Sequence, residues 1–154
     1  MFHNIIWGFI LPWFMVSPLT LKQPKLFIVI SPISALISIY INTVGYYFDY
    51  WHFKPIIKEY EALSAMPLDV GLYAILGTIF IYSIVKKPFG IHPIVIHLLY
   101  SVLTTLMEFA TLKFDLVIYD NGWNIGWTFI SYYVAYLLVF TAWRIVRNHI
   151  ELLD

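Results

Sequence analysis

A chain of 154 residues with 61% hydrophobic and 12% charged residues, and a mean hydropathy of +0.79, carries more apolar surface than a soluble domain of its length buries. A formal net charge of zero offers no basic field to a nucleic acid. The lack of cysteine excludes disulfides, thiolate metal sites and cysteine nucleophiles.

A helix crossing a hydrocarbon core of about 30 Å needs roughly 20 mostly apolar residues, and five segments approach that length. The first, about residues 5–21, is interrupted by Pro12 and Pro18. No Lys or Arg precedes it and no small-residue cleavage pattern follows, so it is expected to be a retained, kinked span, not a signal peptide. The second covers about 26–44, between Lys25 and Gly45. An aromatic and charged connection follows, with an interfacial segment expected at about 46–66. Its first half, from Tyr46 to Phe53, has the composition of a headgroup-level belt. Its second half is expected to form a short amphipathic helix opened by Pro55, with Ile56, Ile57, Tyr60 and Leu63 on one face and Lys58, Glu59 and Glu61 mostly elsewhere. Such a helix anchors the protein in the interface or covers a lipid site.

The third span is expected at about 70–85, closed by Lys86, Lys87 and Pro88, with Asp69 capping its start after Pro67. The fourth is expected at about 92–112, with Pro93 in its first turn, and the fifth at about 123–143, stopping at Arg144. The fold class is therefore all-α: a polytopic transmembrane helix bundle of about five spans, forming one domain over residues 1–154. Lys22, Lys25, Lys86, Lys87, Arg144 and Arg147 fall on one side, against Lys54, Lys58 and Lys113 on the other. This imbalance puts the N-terminus outside and the C-terminus in the cytoplasm of a multi-pass cell-membrane protein.

Polar residues inside these segments carry the functional question. At 100° per residue, His97, Ser101, Thr104, Glu108 and Thr111 fall within an arc of about 80° on the fourth helix. A charge at the centre of a span costs roughly 2.5–3.5 kcal/mol on insertion scales, so this stripe is expected to face other helices. Ser31, Ala35, Ser38, Asn42 and Gly45 form a matching face on the second span. Gly71, Ala74, Gly77 and Thr78 permit close packing on the third, and Thr128, Ser131, Tyr132 and Tyr136 supply hydroxyls from the fifth. The expected intramembrane polar cluster is thus Glu108, His97, Ser101, Thr104, Ser38, Asn42 and Tyr132. Glu108 lies five residues before Lys113, or roughly 7–8 Å from that end of the helix, and reads as a packing carboxylate, a proton or cation carrier, or a catalytic group. His97 lies deeper and reads as a buried, hydrogen-bonded imidazole. His92 and His97 do not share a helical face and no His-x3-His pair exists, so neither a metal nor a cofactor is expected.

Several elements match a known family in order: Leu11-Pro12-Trp13, Asp69 at the third span, Glu108-Phe109 late in the fourth, and the run LVIYDNGW carrying Leu116, Tyr119, Gly122 and Trp123. Over nearly its whole length the chain resembles an uncharacterised family of small, mostly five-span integral membrane proteins common in endospore-forming bacteria. It departs from that pattern in its acidic, aromatic-rich second loop. The resemblance implies a bacterial cytoplasmic-membrane protein in which Glu108 and the Gly-Trp region belong to a shared plan, but it supplies no reaction. Gly122 and Trp123, with Asp69, are candidate loop anchors, through a tight turn and an interfacial ring. The expected role is that of a non-enzymatic accessory or interaction protein, with the bilayer and a second copy or another membrane protein as partners. One alternative is a small proton- or cation-coupled transporter or channel using Glu108. The other is a lipid-modifying enzyme with Asp49, His52 or Glu108 in acid–base roles, for which no nucleophile-plus-base signature exists.

Overall fold

Long apolar runs bury their polar backbone with its hydrogen bonds made when they are helical, and the chain satisfies its backbone this way over most of its length. The computed structural model describes residues 1–57, 60–87 and 90–148. Five helices are long and apolar enough to cross a membrane: α1 (Phe2–Lys22), α2 (Pro24–Tyr47), α3 (Ala62–Lys86), α4 (Pro93–Lys113) and α5 (Ile125–Val146). Two strands, β1 (Trp51–Phe53) and β2 (Val117–Tyr119), pair antiparallel between the second and fourth connections. The architecture is thus a helical bundle closed at one end by a small ribbon.

Gln23 breaks the helix between α1 and α2, and Pro24 opens α2 at a position where a missing N–H costs nothing. Within α1, Pro12 cannot donate to the Gly8 carbonyl, and the turn before it widens: Leu11 N–H reaches back five residues to Ile6 in a π-helical turn over Ile6–Ile10. A second π-helical turn, Asp69–Tyr73, interrupts α3. The two widened turns meet. A methyl group on Gly71 would run into the Gly8 carbonyl and Phe9, and one on Gly8 would meet Leu68. This small-residue contact lets α1 lie directly on α3.

Away from the ribbon, Leu26 and Ile30 of α2 and Phe80 and Ile81 of α3 are fully buried in one cluster, which Ile96 of α4 and Trp143 of α5 complete. At the ribbon end, Trp51, Phe53, Ala65 and Val117 form a second buried cluster. Trp51 pairs with Tyr119, His52 with Ile118 and Phe53 with Val117. By the two-residue period of a strand, Trp51 and Phe53 are buried while His52 is not. The ribbon is extended by Lys54 N–H to the Leu116 carbonyl and Asp120 N–H to the Tyr50 carbonyl, both 2.9 Å. Asp49, Asp115, Asn121 and Gly122 flank it in left-handed backbone, which short Asx side chains and glycine tolerate best.

The expected interfacial helix is not formed among the described residues. Positions 54–57 and Tyr60 are non-helical, and Lys58 and Glu59, like Pro88, lie outside the described residues. The reason is competition for carbonyls: Asn4 Nδ2 bonds the Lys54 carbonyl at 2.9 Å, and the Ser64 hydroxyl bonds that of Pro55, so neither serves a helical turn. The aromatic belt is also more structured than expected, since part of it is β1. The third helix begins at Ala62, eight residues before the expected Val70, and Pro67 lies inside it with no N–H for the Leu63 carbonyl. The bundle is therefore not purely α-helical.

The glycine contact gives a stability test. Gly71→Leu should lower the unfolding free energy in a denaturing-detergent titration by about 1–3 kcal/mol, the range for overpacking. Leu36→Ala, on the exposed side of α2, should change it far less. Equal effects would remove the α1–α3 contact as a packing determinant.

Candidate functional site

The polar site lies where the ribbon meets α2–α5. Glu108 projects from α4, 8% exposed, and both of its oxygens are held. Tyr119 of β2 donates to Oε1 at 2.6 Å, and Tyr132 of α5 donates to Oε2. Behind Tyr119 stands Thr128, 2.5 Å from the phenol oxygen, and behind Thr128 stands Trp123, whose indole N–H donates to its hydroxyl at 2.9 Å. An indole nitrogen only donates. With one lone pair of Thr128 filled by Trp123, its hydrogen points to Tyr119, and the Tyr119 hydrogen points to Glu108. A shorter arm joins Tyr73 to Tyr132, hydroxyl to hydroxyl at 3.0 Å. Two hydroxyl lines thus converge on one carboxylate, and hydrogen bonds in series polarise one another. Burial, then the neighbouring Glu108 charge, raises the Tyr119 pKa above the ordinary tyrosine value, so the phenol stays a neutral donor.

Asp69 forms a parallel arrangement. It is 2% exposed, and its Oδ1 accepts from Ser38 Oγ at 2.5 Å and Asn42 Nδ2 at 2.7 Å, both on α2. The Asn42 carbonyl oxygen in turn accepts from the Trp51 indole at 3.1 Å. Gly45 makes this reachable, because a side chain there would occupy the space of the Trp51 ring. The two indoles that begin these lines pack together, with ring centroids 4.7 Å apart, and Tyr50 stacks on Trp123 at 4.9 Å.

Between the two networks lies a cavity of about 60 Å³. Ser38 and Asn42 of α2, Tyr73 of α3, Glu108 of α4 and Tyr132 of α5 all line it, beneath Trp51 and Trp123. Such a space holds a few water-sized groups. Ser34 also lines it, but its hydroxyl is buried against Gly77 and has no hydrogen-bond partner among the described residues. On the other side of Glu108 a second cavity, of about 250 Å³, runs beneath Phe53 past Leu72 and Thr104.

The expected cluster is therefore brought together in part. Glu108, Ser38, Asn42 and Tyr132 share the cavity, but Ser38 and Asn42 bond Asp69 and not Glu108. The remaining residues of the α4 stripe serve the bundle elsewhere. His97 Nε2 donates to the Tyr133 carbonyl at 2.9 Å, with its ring 4.3 Å from that of Tyr133. Ser101 returns its hydroxyl to the His97 carbonyl at 3.0 Å. Thr104 donates to the Tyr100 carbonyl and pairs with Tyr136 at 2.7 Å. No relay runs from His97 to Glu108 through them. Asp69 is no helix cap, since the helix already begins at Ala62 and its carboxylate turns to α2. Trp123 packs on Tyr50 and Trp51, after Gly122 turns the chain at φ +75°.

Compared with known proteins, the chain matches no protein-family model, no curated protein and no solved structure. The site is thus interpreted from its own geometry. Among the described residues no group of three or more His, Cys, Asp or Glu side chains is placed to hold a metal ion. Neither Asp49 nor His52 lines the Glu108 cavity, and His52 Nδ1 lies 2.9 Å from Glu61 Oε1 on the outward side of the ribbon.

Sequence reasoning missed Tyr73 and the roles of Tyr119 and Trp51. Tyr73 stands one turn after Asp69, a spacing that was available; Tyr119 and Trp51 depend on the ribbon. A double-mutant cycle tests the Glu108 line. Tyr119→Phe should cost about 1–3 kcal/mol of unfolding free energy, since it leaves a buried carboxylate oxygen short of a donor. Combined with Glu108→Gln, the two effects should be non-additive by at least about 0.5 kcal/mol. Additivity would mean that the phenol does not act on the carboxylate.

Proposed function

We propose that this chain is an integral protein of the bacterial cytoplasmic membrane that crosses the bilayer five times, with the ribbon outside, and acts as a non-enzymatic accessory or interaction protein. The five helices of sufficient length and apolarity support the membrane reading. The excess of Lys and Arg at the opposite end of the bundle supports the orientation. The family that the sequence resembles belongs to this reading.

The observation that carries the non-enzymatic role is the occupation of Glu108. Both of its oxygens are held by protein hydroxyls, and these hydroxyls come from the ribbon and the last helix. Such a carboxylate clamps the cap onto the bundle, with each oxygen already engaged by a protein hydroxyl. The face it stabilises is aromatic, as in a surface that meets another membrane protein or a second copy. Lipid chemistry by Asp49, His52 and Glu108 has less support, because the first two stand apart from the cavity that Glu108 lines.

One observation favours a second reading, a proton- or cation-coupled transporter using Glu108: the carboxylate lines a polar cavity together with Ser38, Asn42 and Tyr132. The two readings separate in one pair of measurements. Purified in mild detergent, the protein should run as a defined assembly, and Glu108→Gln should weaken its stability without giving or removing any flux in vesicles. A persistent inert monomer counts against the interaction role, and a cation or proton flux lost in Glu108→Gln establishes the transporter.

A further inference from the structure

The first helix packs on α2 and α3, and α4 packs on α3 and α5. This leaves an apolar slot between α1 and α4, with α3 as its floor. Its volume is about 550 Å³. On α1 the slot follows one continuous stripe from His3 to Val16, and on α3 it runs from Leu68 to Ile79. Met107 of α4 closes one wall, and Phe53 and Val117 of the ribbon form the roof. Trp7 and Met15, which border it, remain 58% and 72% exposed.

The twelve residues from Leu68 to Ile79 rise roughly 17 Å along α3, so the slot is long as well as apolar, and an extended hydrocarbon chain matches it in length and character. The walls are almost wholly apolar, with Thr111 and Asn4 the polar side chains besides His3. Both Asn4 amide hydrogens are taken, by the carbonyls of Lys54 and Ser64 at 2.9 and 2.8 Å.

The ribbon end of the slot has a different character. It continues into an open depression lined by His3, Asn4, Lys54, Pro55, Ile56 and Leu116. Lys54 lines this depression and makes no ion pair with a carboxylate among the described residues. The nearby acid Glu61 is engaged by His52. A cation and an imidazole at the mouth of a hydrocarbon slot complement an anionic headgroup on acyl chains. We infer that the slot binds one anionic phospholipid, its acyl chain between α1 and α4 and its phosphate at Lys54 and His3. This rests on the five-span membrane reading.

The test uses the full chain in nanodiscs of phosphatidylcholine doped with phosphatidylglycerol, released into mild detergent and weighed by native mass spectrometry. One phosphatidylglycerol per chain should be retained, with a preference of about tenfold over phosphatidylcholine. Lys54→Glu should abolish the preference. Leu72→Trp, which fills the slot, should cut retention of both lipids about tenfold, and Met107→Trp serves where Leu72→Trp does not fold. Leu36→Trp on the exposed side of α2 should change nothing. Equal retention of the two lipids, undiminished retention in the filled variants, or a partner helix crosslinked within the slot would each overturn the inference. A chain that enters nanodiscs and holds no lipid sinks this inference alone, whereas a chain that fails to enter them sinks the membrane reading as well.

Discussion

Two indole N–H groups in the cap each begin a line of hydrogen bonds that ends on a buried carboxylate: Trp51 through Asn42 to Asp69, and Trp123 through Thr128 and Tyr119 to Glu108. A carboxylate within an apolar bundle costs roughly 2.5–3.5 kcal/mol on insertion scales, and a hydrogen bond to a charged group returns roughly 1.5–3 kcal/mol. Two donors per carboxylate are therefore of the order needed to hold it, and one falls short. Each acid has two. This requirement fixes the position of the ribbon, because Tyr119 reaches Glu108 only while β2 lies over the end of α4. It also fixes α5, which supplies Tyr132 and Thr128.

The same requirement explains why the polar residues of α4 divide into two kinds. Ser101 and Thr104 give their hydrogens to carbonyls one turn earlier in their own helix, and Thr104 also meets the Tyr136 hydroxyl of α5. His97 finds a carbonyl on α5. None of the three needs the cap. Glu108 has two oxygens and no hydrogen to give while ionised, so it alone on this stripe must draw donors from other elements. A stripe that looks uniform in projection is thus four groups that bond within α4 or to α5, namely His97, Ser101, Thr104 and Thr111, and one acceptor that draws on the cap.

The five helices and the inward turn of the Glu108 stripe were legible in the sequence, since length, hydropathy and a 3.6-residue period are local properties. The ribbon was not. Its strands have three residues each, and two whole helices, α3 and α4, separate Trp51 from Tyr119 in the chain, so no local pattern announces their pairing. Pro55 suggested the start of a helix, yet Asn4 and Ser64, at distant and later positions, compete for the carbonyls that a helix requires. Pro67 misled in the opposite direction by suggesting a boundary inside a helix. That displacement made Asp69 look like a cap. With the true start at Ala62, Asp69 lies two turns in, where a carboxylate has no free N–H groups to accept from and must find partners on α2.

The ribbon joins the polar cavity to the apolar slot. A strand sends alternate side chains to one face, so Trp51 and Phe53 both point into the bundle, as do Val117 and Tyr119 opposite them. Trp51 covers the cavity beside Glu108, and Phe53 roofs the slot between α1 and α4. A register shift of one residue would turn His52 and Ile118 inward and remove both lids at once. The hydrogen bonds from Tyr119 and Trp51 to the buried networks oppose such a shift, since each is made only in the native register. The two carboxylates therefore hold more than their own surroundings: by fixing the register of the ribbon, they also hold Phe53 above a slot that neither of them lines.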